Sequence, residues 1–305
     1  MTTVRSSRES AVRQALAADG VGRIVLGGRF GEQPRAMTYR LLDRFYEAGG
    51  RLIETAHSYA DGAAESEIGV WLADASDDAI CITKVGHPPA GSSAVDVAAI
   101  SDEIERSAER LQRDALDLVM LHRDDARYTV TQLLEPLLRA KEAGSIVAIG
   151  VANWTAPRLR EAITVAREAG GLAAASAQLS YAIPQFPLWP GTVHADSELI
   201  AVHSEYRLPL LAWSANARGF FAGRLSSDAT TDPDARKSFH TRENLDRLGR
   251  CEAVAESIGS TPTAVALAWT LQQYEFARPI VGPAEEAELD DALAAARIYR
   301  ELPSL

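Results

Sequence analysis

Lysine is nearly missing from this chain: of its 31 basic side chains only Lys84, Lys141 and Lys237 are lysine, and the rest are arginine. Cysteine is as scarce. Cys81 and Cys251 both fall inside apolar patterns, which excludes a disulfide framework and fits a reduced, cytoplasmic setting. No stretch approaches the roughly 18 consecutive apolar residues of a membrane helix, and the start, Met1 to Arg8, lacks the apolar core of a signal peptide. Positive charge is in deficit. A net charge of -11 with no polybasic block argues against a nucleic-acid or membrane-surface partner. A glycine-rich dinucleotide fingerprint is absent too: Leu26-Gly-Gly-Arg-Phe-Gly31 follows the first expected strand but does not supply G-x-G-x-x-G. With these classes disfavoured, a cytoplasmic location is expected, and the composition is ordinary for a soluble globular enzyme. The chain of 305 residues has room for one α/β barrel or two smaller domains.

What is present is a rhythm. After a helical lead-in at 8–18, strand patterns fall at 23–28, 51–55, 80–84, 117–121, 146–150, 174–179, 209–213 and 278–282. Helical patterns separate them at 35–48, 64–74, 97–112, 130–143, 156–169, 196–206, 243–258 and 262–275, and a last helix ends before Tyr299. Gly49-Gly50, Gly144, Gly170-Gly171 and Gly259 mark helix ends, and Thr261-Pro262 opens a helix as N-cap and N1 proline. Eight such units predict a (β/α)₈ TIM barrel, with residues 1–20 as an N-terminal helical extension and 21–305 as a single catalytic domain. The competitor is a doubly wound sheet, disfavoured by the missing fingerprint. Two segments break the rhythm: the proline-rich 181–195 and the long insertion 222–242. Loops following barrel strands lie on the functional face, so both are expected to cover a site.

Three apolar runs end in ionisable residues: Glu54 with Tyr59, Lys84, and His122. Parallel strands lie about 4.8 Å apart, so groups at the ends of three consecutive strands can converge within about 10 Å. A scarce lysine kept at a strand end points to a need for a compact, titratable cation. A phenol is a poor acid at neutral pH, but an ammonium at about 4 Å supplies about 4 kcal/mol, roughly three pKa units, toward its ionised form. Glu54 would keep that ammonium charged and aimed. His57, His87 and Asp124 beside Glu54 raise a metal-site alternative, but no His-x-His pair occurs and an ammonium in the middle would repel a dication, so no metal is expected.

Together these residues resemble the aldo-keto reductases along nearly the whole chain. Ile53-Glu-Thr-Ala-His-Ser-Tyr59 with Gly62 and Gly69 is similar to that family's I-D-T-A-x-x-Y-G-x-G stretch. Thr83-Lys84 resembles its T-K strand end, and Leu121-His122-Arg123 its L-H segment. Gly150-Val-Ala-Asn-Trp154, Gln178 with Tyr181, Ala212-Trp-Ser214 with Arg218-Gly219, and Ile280-Val-Gly282 match further segments in order. The resemblance implies a nicotinamide-dependent carbonyl reductase in which Tyr59 donates the proton, Lys84 lowers its pKa, His122 orients the carbonyl, and Glu54 stands where the family has Asp. It further implies that Asn153 and Gln178 hold the carboxamide and Trp213 stacks on the nicotinamide. Ser214, Arg218, Gly219, Arg224 and Gly282 would line the rest of the cofactor.

Several departures bear on function. Glu54 adds a methylene, Ala152 replaces a serine, and the segment after Gly282 (Pro-Ala-Glu-Glu-Ala-Glu-Leu-Asp-Asp) is acidic where relatives carry a basic residue for the 2′-phosphate. Arg224, Arg236 and Lys237 are possible substitutes. NADP(H) is favoured by resemblance, and NAD(H) stays open. The long C-terminal loop of steroid-type members is expected to be absent. Phe30, Phe186, Trp189 and Trp154 are candidates for apolar walls, with core packing the alternative for each. The substrate is expected to be a small or sugar-like carbonyl compound. A nicotinamide-binding regulatory protein with little turnover is the second reading.

Overall fold

The structure, a computed structural model, describes residues 2–28, 30–74, 78–89, 92–226, 232–303 and 305. Along the chain run α1 (Thr2–Ala17), β1 (Val25–Gly27), α2 (Arg35–Glu47), β2 (Leu52–Glu54), α3 (Ala63–Asp74) and β3 (Ile80–Val85). Then follow α4 (Ile100–Leu111), β4 (Leu116–Leu121), α5 (Val130–Ala143), β5 (Ile146–Ala152), α6 (Ala156–Ala166) and β6 (Ala174–Gln178). The last third holds α7 (Ser197–Tyr206), β7 (Leu210–Trp213), α8 (Pro233–Phe239), α9 (Arg242–Ile258), α10 (Pro262–Gln272), β8 (Ala277–Val281) and α11 (Glu286–Ile298). All strand pairs are parallel, and β8 pairs back onto β1, closing the (β/α)₈ barrel that the alternation predicts.

Side-chain alternation along each strand explains both the core and the site. One face of the strands (Leu26, Ile53, Cys81, Val119, Ile149 and Ala212) packs against the helices. The other (Val25, Leu52, Ile80, Ile82, Leu118, Met120 and Leu211) fills the barrel interior. Glu54, Lys84, His122 and Trp213 each lie two residues beyond an interior apolar residue, so the same period that fills the barrel delivers them to its C-terminal rim. Val12 and Leu16 of α1 are buried in the interior cluster, so this helix closes the opposite end. Arg278 Nη2 donates to the Leu16 carbonyl at 2.6 Å, and Arg8 Nε meets Asp117 Oδ1 at 2.7 Å.

The caps follow the sequence. Thr261 accepts from the Ala264 N–H ahead of Pro262, and Gly144 and Gly259 end their helices in left-handed backbone. Two differences from expectation have plain causes. The 222–242 insertion is partly helical, because Asp232 caps Ala235 and Pro233 opens α8; positions 227–231 lie outside the described residues. Phe30 and Trp154 are core residues, 4% and 1% exposed, not cleft walls, because both pack between helices and strands. Among the described residues no helix is long and apolar enough to cross a membrane.

Candidate active site

A cleft of ≈ 1470 Å³ opens over the C-terminal ends of the strands. Its floor joins the residues at the ends of β2, β3 and β4. Lys84 Nζ sits against Glu54 Oε1, donates to the Thr55 carbonyl at 2.9 Å, and lies 3.1 Å from the Tyr59 hydroxyl. Tyr59 OH is also 3.4 Å from Glu54 Oε1. The His122 ring packs edge-on to Tyr59 with centroids 5.8 Å apart. Lys84, Glu54 and His122 are all buried.

Tyr59 opens a tight 3₁₀ turn after β2, in which Ala60 (φ 48°) and Asp61 (φ 52°) take left-handed backbone. What holds the turn is remote in sequence. Arg110 of α4 donates to the His57 carbonyl at 3.1 Å and pairs at 3.2 Å with the buried Glu65, which accepts from Thr83 at 2.6 Å. Gly62 admits that arginine, since a Cβ there would lie 2.1 Å from Arg110 Cζ. The phenol's loop is thereby tied to β3, the strand that carries its lysine.

Burial dominates the electrostatics. It pushes the Tyr59 phenol up to about 12, against the opposing pull of the Arg123 charge. Burial, then Arg123, lowers Lys84 well below the usual lysine range. His122 is driven well below 6.5 by burial, then by Lys84, Arg123 and His87, which keeps the imidazole neutral. In this arrangement desolvation outweighs the one charge that opposes it, Arg123, so the phenol stands above its ordinary range rather than below it. The phenol holds its proton, which is the form a proton donor must start from.

The other sequence candidates divide. Asn153, Trp213, Ser214, Arg218, Gly219, Arg224 and Gly282 line the cleft. Trp213 Nε1 donates to Asn153 Oδ1 at 3.1 Å, and Asn153 Nδ2 donates to the His122 carbonyl at 3.2 Å. Gln178 is not on the cleft wall. Its amide is engaged by Ser180 at 2.9 Å and by His194. Arg218 and Arg224 reach the cleft already paired, with Asp232 and Glu288 respectively. Trp189 of the 181–195 loop lines the cleft and packs on Trp213 at 5.6 Å between centroids; Phe186 does not line it. The metal constellation is not assembled: Asp124 pairs with Arg158 at 2.6 Å and His57 meets Ser107. Among the described residues no group of three His, Cys, Asp or Glu could hold a metal ion.

One cleft residue carries no role in the sequence reading. Arg123 stands inside the His-Arg-Asp-Asp run, where its acidic neighbours look like its partners. In the fold they belong to other arginines: Asp124 to Arg158 and Asp125 to Arg127.

The structure is a closed eight-stranded parallel barrel with the half-buried Tyr59 beside buried Lys84, Glu54 and His122 at its rim. Residues 20–303 match the Aldo/keto reductase family, and the chain belongs to it, as an NAD(P)-dependent oxidoreductase acting on carbonyl compounds. It is similar to an uncharacterized oxidoreductase of Bacillus subtilis, YrpG, with 26% identity over 91% of this chain and 88% of that one. It is also similar to norsolorinic acid reductase B of Aspergillus parasiticus, 25% identical over 84% of this chain and 69% of the relative. Solved structures share the fold, two of them as follows. The glycerol dehydrogenase AKR11B4 of Gluconobacter oxydans aligns with TM-score 0.73 and 23% identity over 90% and 86% of the two chains. An aldo-keto reductase of Klebsiella pneumoniae in complex with NADPH aligns with TM-score 0.69 and 22% identity over 90% and 85%.

Proposed function

We propose that this protein reduces an aldehyde or ketone, small or sugar-like in size, to the alcohol, with Tyr59 as proton donor and NADP(H) as the nicotinamide nucleotide. The observation that carries this reading is the Tyr59 hydroxyl on the cleft floor, 3.1 Å from a lysine whose charge is matched by Glu54. NADPH, when bound, supplies a hydride. The chain's own residues then manage the proton. Tyr59 gives its hydrogen to the carbonyl oxygen, and the adjacent ammonium stabilises the phenolate left behind. Neutral His122 donates a hydrogen bond to the same oxygen and orients it.

The residues present fit the nucleotide at its nicotinamide end. Trp213 offers a ring to the cleft, Asn153 stands beside it, and Gln178 would join after releasing Ser180 or His194. Gly27, Gly28 and Gly282 leave the strand ends open beneath, since a Cβ on Gly28 would meet only Gly282 Cα, at 3.9 Å. At the phosphate end Ser214, Gly219, Arg218 and Arg224 line the wall, and the two arginines would exchange carboxylates for phosphate oxygens. The NADPH complex of the Klebsiella pneumoniae neighbour supports NADP(H) over NAD(H).

The test is titration with NADPH and NADH, followed by a panel of aldehydes and ketones read at the reduced-nicotinamide absorbance. Turnover of at least one carbonyl is expected, faster with NADPH. Nucleotide binding without turnover across the panel would overturn the reading and favour a regulatory protein.

A further inference from the structure

Among the described residues four arginines line the cleft: Arg110, Arg123, Arg218 and Arg224. Three are matched by acids. Arg110 pairs with Glu65 at 3.2 Å, Arg218 Nε with Asp232 at 2.7 Å, and Arg224 with Glu288. Arg123 is different. It is the most buried of the four, only 7% exposed, and has no carboxylate partner among the described residues. Its one hydrogen bond runs from Nη1 to the neighbouring His122 carbonyl at 3.0 Å, which leaves the rest of the guanidinium without a protein acceptor. A buried, unmatched guanidinium is costly, and a fold that keeps one beside the reacting groups reserves it for something that arrives.

We infer that the carbonyl substrate carries a carboxylate and that Arg123 is the specificity residue that pairs with it. This deepens the reductase reading and rests on it. Position supports the assignment: Arg123 follows His122 directly and shares the cleft floor with Tyr59, so an anion held there would bring a nearby carbonyl to both. Packing supports it as well. The 181–195 loop lies along the arginine's stem, where a Cβ on Gly191 would stand 3.7 Å from Cδ, which limits the rotamers the guanidinium can take. Charge selects the kind of anion. Lys84 is matched by Glu54 and the other three described cleft arginines by acids, so among the described residues Arg123 is the cleft cation with no paired carboxylate, while Glu32, Asp61, Glu103 and Asp234 line the cleft away from any ion pair. One guanidinium with free donors suits a monoanionic carboxylate, whereas a phosphate dianion would need a second cation.

The experiment compares matched pairs with the full-length protein and NADPH: 4-carboxybenzaldehyde against its methyl ester, and 4-oxobutanoate against its methyl ester. A phosphorylated aldehyde, glyceraldehyde 3-phosphate, is a third arm. The wild type is expected to prefer the acid over the ester by about 10-fold or more in kcat/KM, the scale of one charge-assisted contact. Arg123→Met should bring that ratio to about one, and Arg123→Lys should keep part of it. Calorimetric titration of 4-(hydroxymethyl)benzoate into the protein loaded with NADP⁺ should show binding that weakens in the Met variant. A wild type with no preference for the acid overturns the inference, and the wild-type arms decide this even if the Met variant fails to fold. An equal loss on acid and ester, with their ratio kept, also overturns it and makes Arg123 a support for the Tyr59 charge. Preference for the phosphorylated aldehyde over both acids overturns the charge matching. Inactivity on every carbonyl would instead remove the reductase reading itself.

Discussion

Gly27 and Glu54 are fitted to each other across the first strand pair. They are register partners, and a Cβ on residue 27 would stand 2.2 Å from Glu54 Oε2 and 2.8 Å from its carbonyl oxygen. The glycine gives the longer acid its room, so the extra methylene is absorbed at the strand end while Oε1 still meets Lys84. Gly27→Ala is therefore expected to displace Glu54 and lower kcat by about 10-fold or more. Glu54→Gln removes the charge facing Lys84; breaking a buried pair on one side costs about 3–5 kcal/mol, so this variant should melt earlier as well as slow down. Glu54→Asp keeps the charge and should stay close to wild type. Activities and melting temperatures measured side by side decide the matter: an active, stable Gln variant beside a dead Asp variant would mean Glu54 serves the substrate rather than the lysine.

Tyr59→Phe should keep nucleotide binding and lose about 10²-fold or more in turnover, because on the proposed reading it removes only the proton donor. The phenol's position near 12 adds a pH expectation. A group that must be protonated and whose pKa is raised keeps its proton until the pH approaches that value, so the phenol itself should cause no fall in reductive kcat between about pH 7 and 10, and any alkaline limb there belongs to Lys84, which burial makes easier to deprotonate. Stopped-flow reduction by the wild type and by Lys84→Arg, whose charge does not titrate in that range, tests it: an alkaline limb near 8 that persists in the Arg variant would contradict the assignment.

Acid should loosen the fold through His203. Burial lowers this histidine from 6.5 to about 4, while its Nδ1–H donates to the Leu208 carbonyl at 2.8 Å. Above 6.5 neither folded nor unfolded chain binds the proton. Between 6.5 and about 4 the unfolded chain binds it and the native one does not, so stability drops by about 1.4 kcal/mol per pH unit as pH falls. Below about 4 this group adds no further loss. His203→Gln should flatten the dependence of urea midpoints on pH across that window; an unchanged slope would assign the acid sensitivity elsewhere.

Glu288 is expected to restrain phosphate binding. It occupies Arg224, and it belongs to the acidic first turn of α11. Glu288→Gln frees the guanidinium and removes a negative charge, so NADPH should bind tighter by about 5- to 10-fold, with a smaller effect on NADH. Equilibrium quenching of protein fluorescence by each nucleotide measures this without turnover. Equal effects on the two nucleotides would place Arg224 at the pyrophosphate rather than the 2′-phosphate.

Much of this was readable from the chain. All eight strands fall within about two residues of where apolar alternation puts them, because burial on both faces leaves little freedom in strand position. Phe30 and Trp154 were harder: an aromatic near a strand end reads the same whether it lines a cleft or fills the layer behind it. Gln178 sits at the expected strand end, yet its amide is turned to Ser180 and to His194, sixteen residues further along. Ser180 is two residues away, but nothing local to β6 announces His194.

The sequence by itself determined the barrel and the arrival of Glu54, Lys84 and His122 at one rim, because a period of two carries those residues on from the interior apolar positions of their strands. It did not determine which charges are matched. Arg224 meets Glu288, Arg110 meets Glu65, and Asp124 turns to Arg158, across separations of 64, 45 and 34 residues. Ion pairing depends on distances of a few ångströms between side chains that only packing brings together. Tertiary structure alone therefore left Arg123, among the described residues, as the cleft cation with no paired carboxylate.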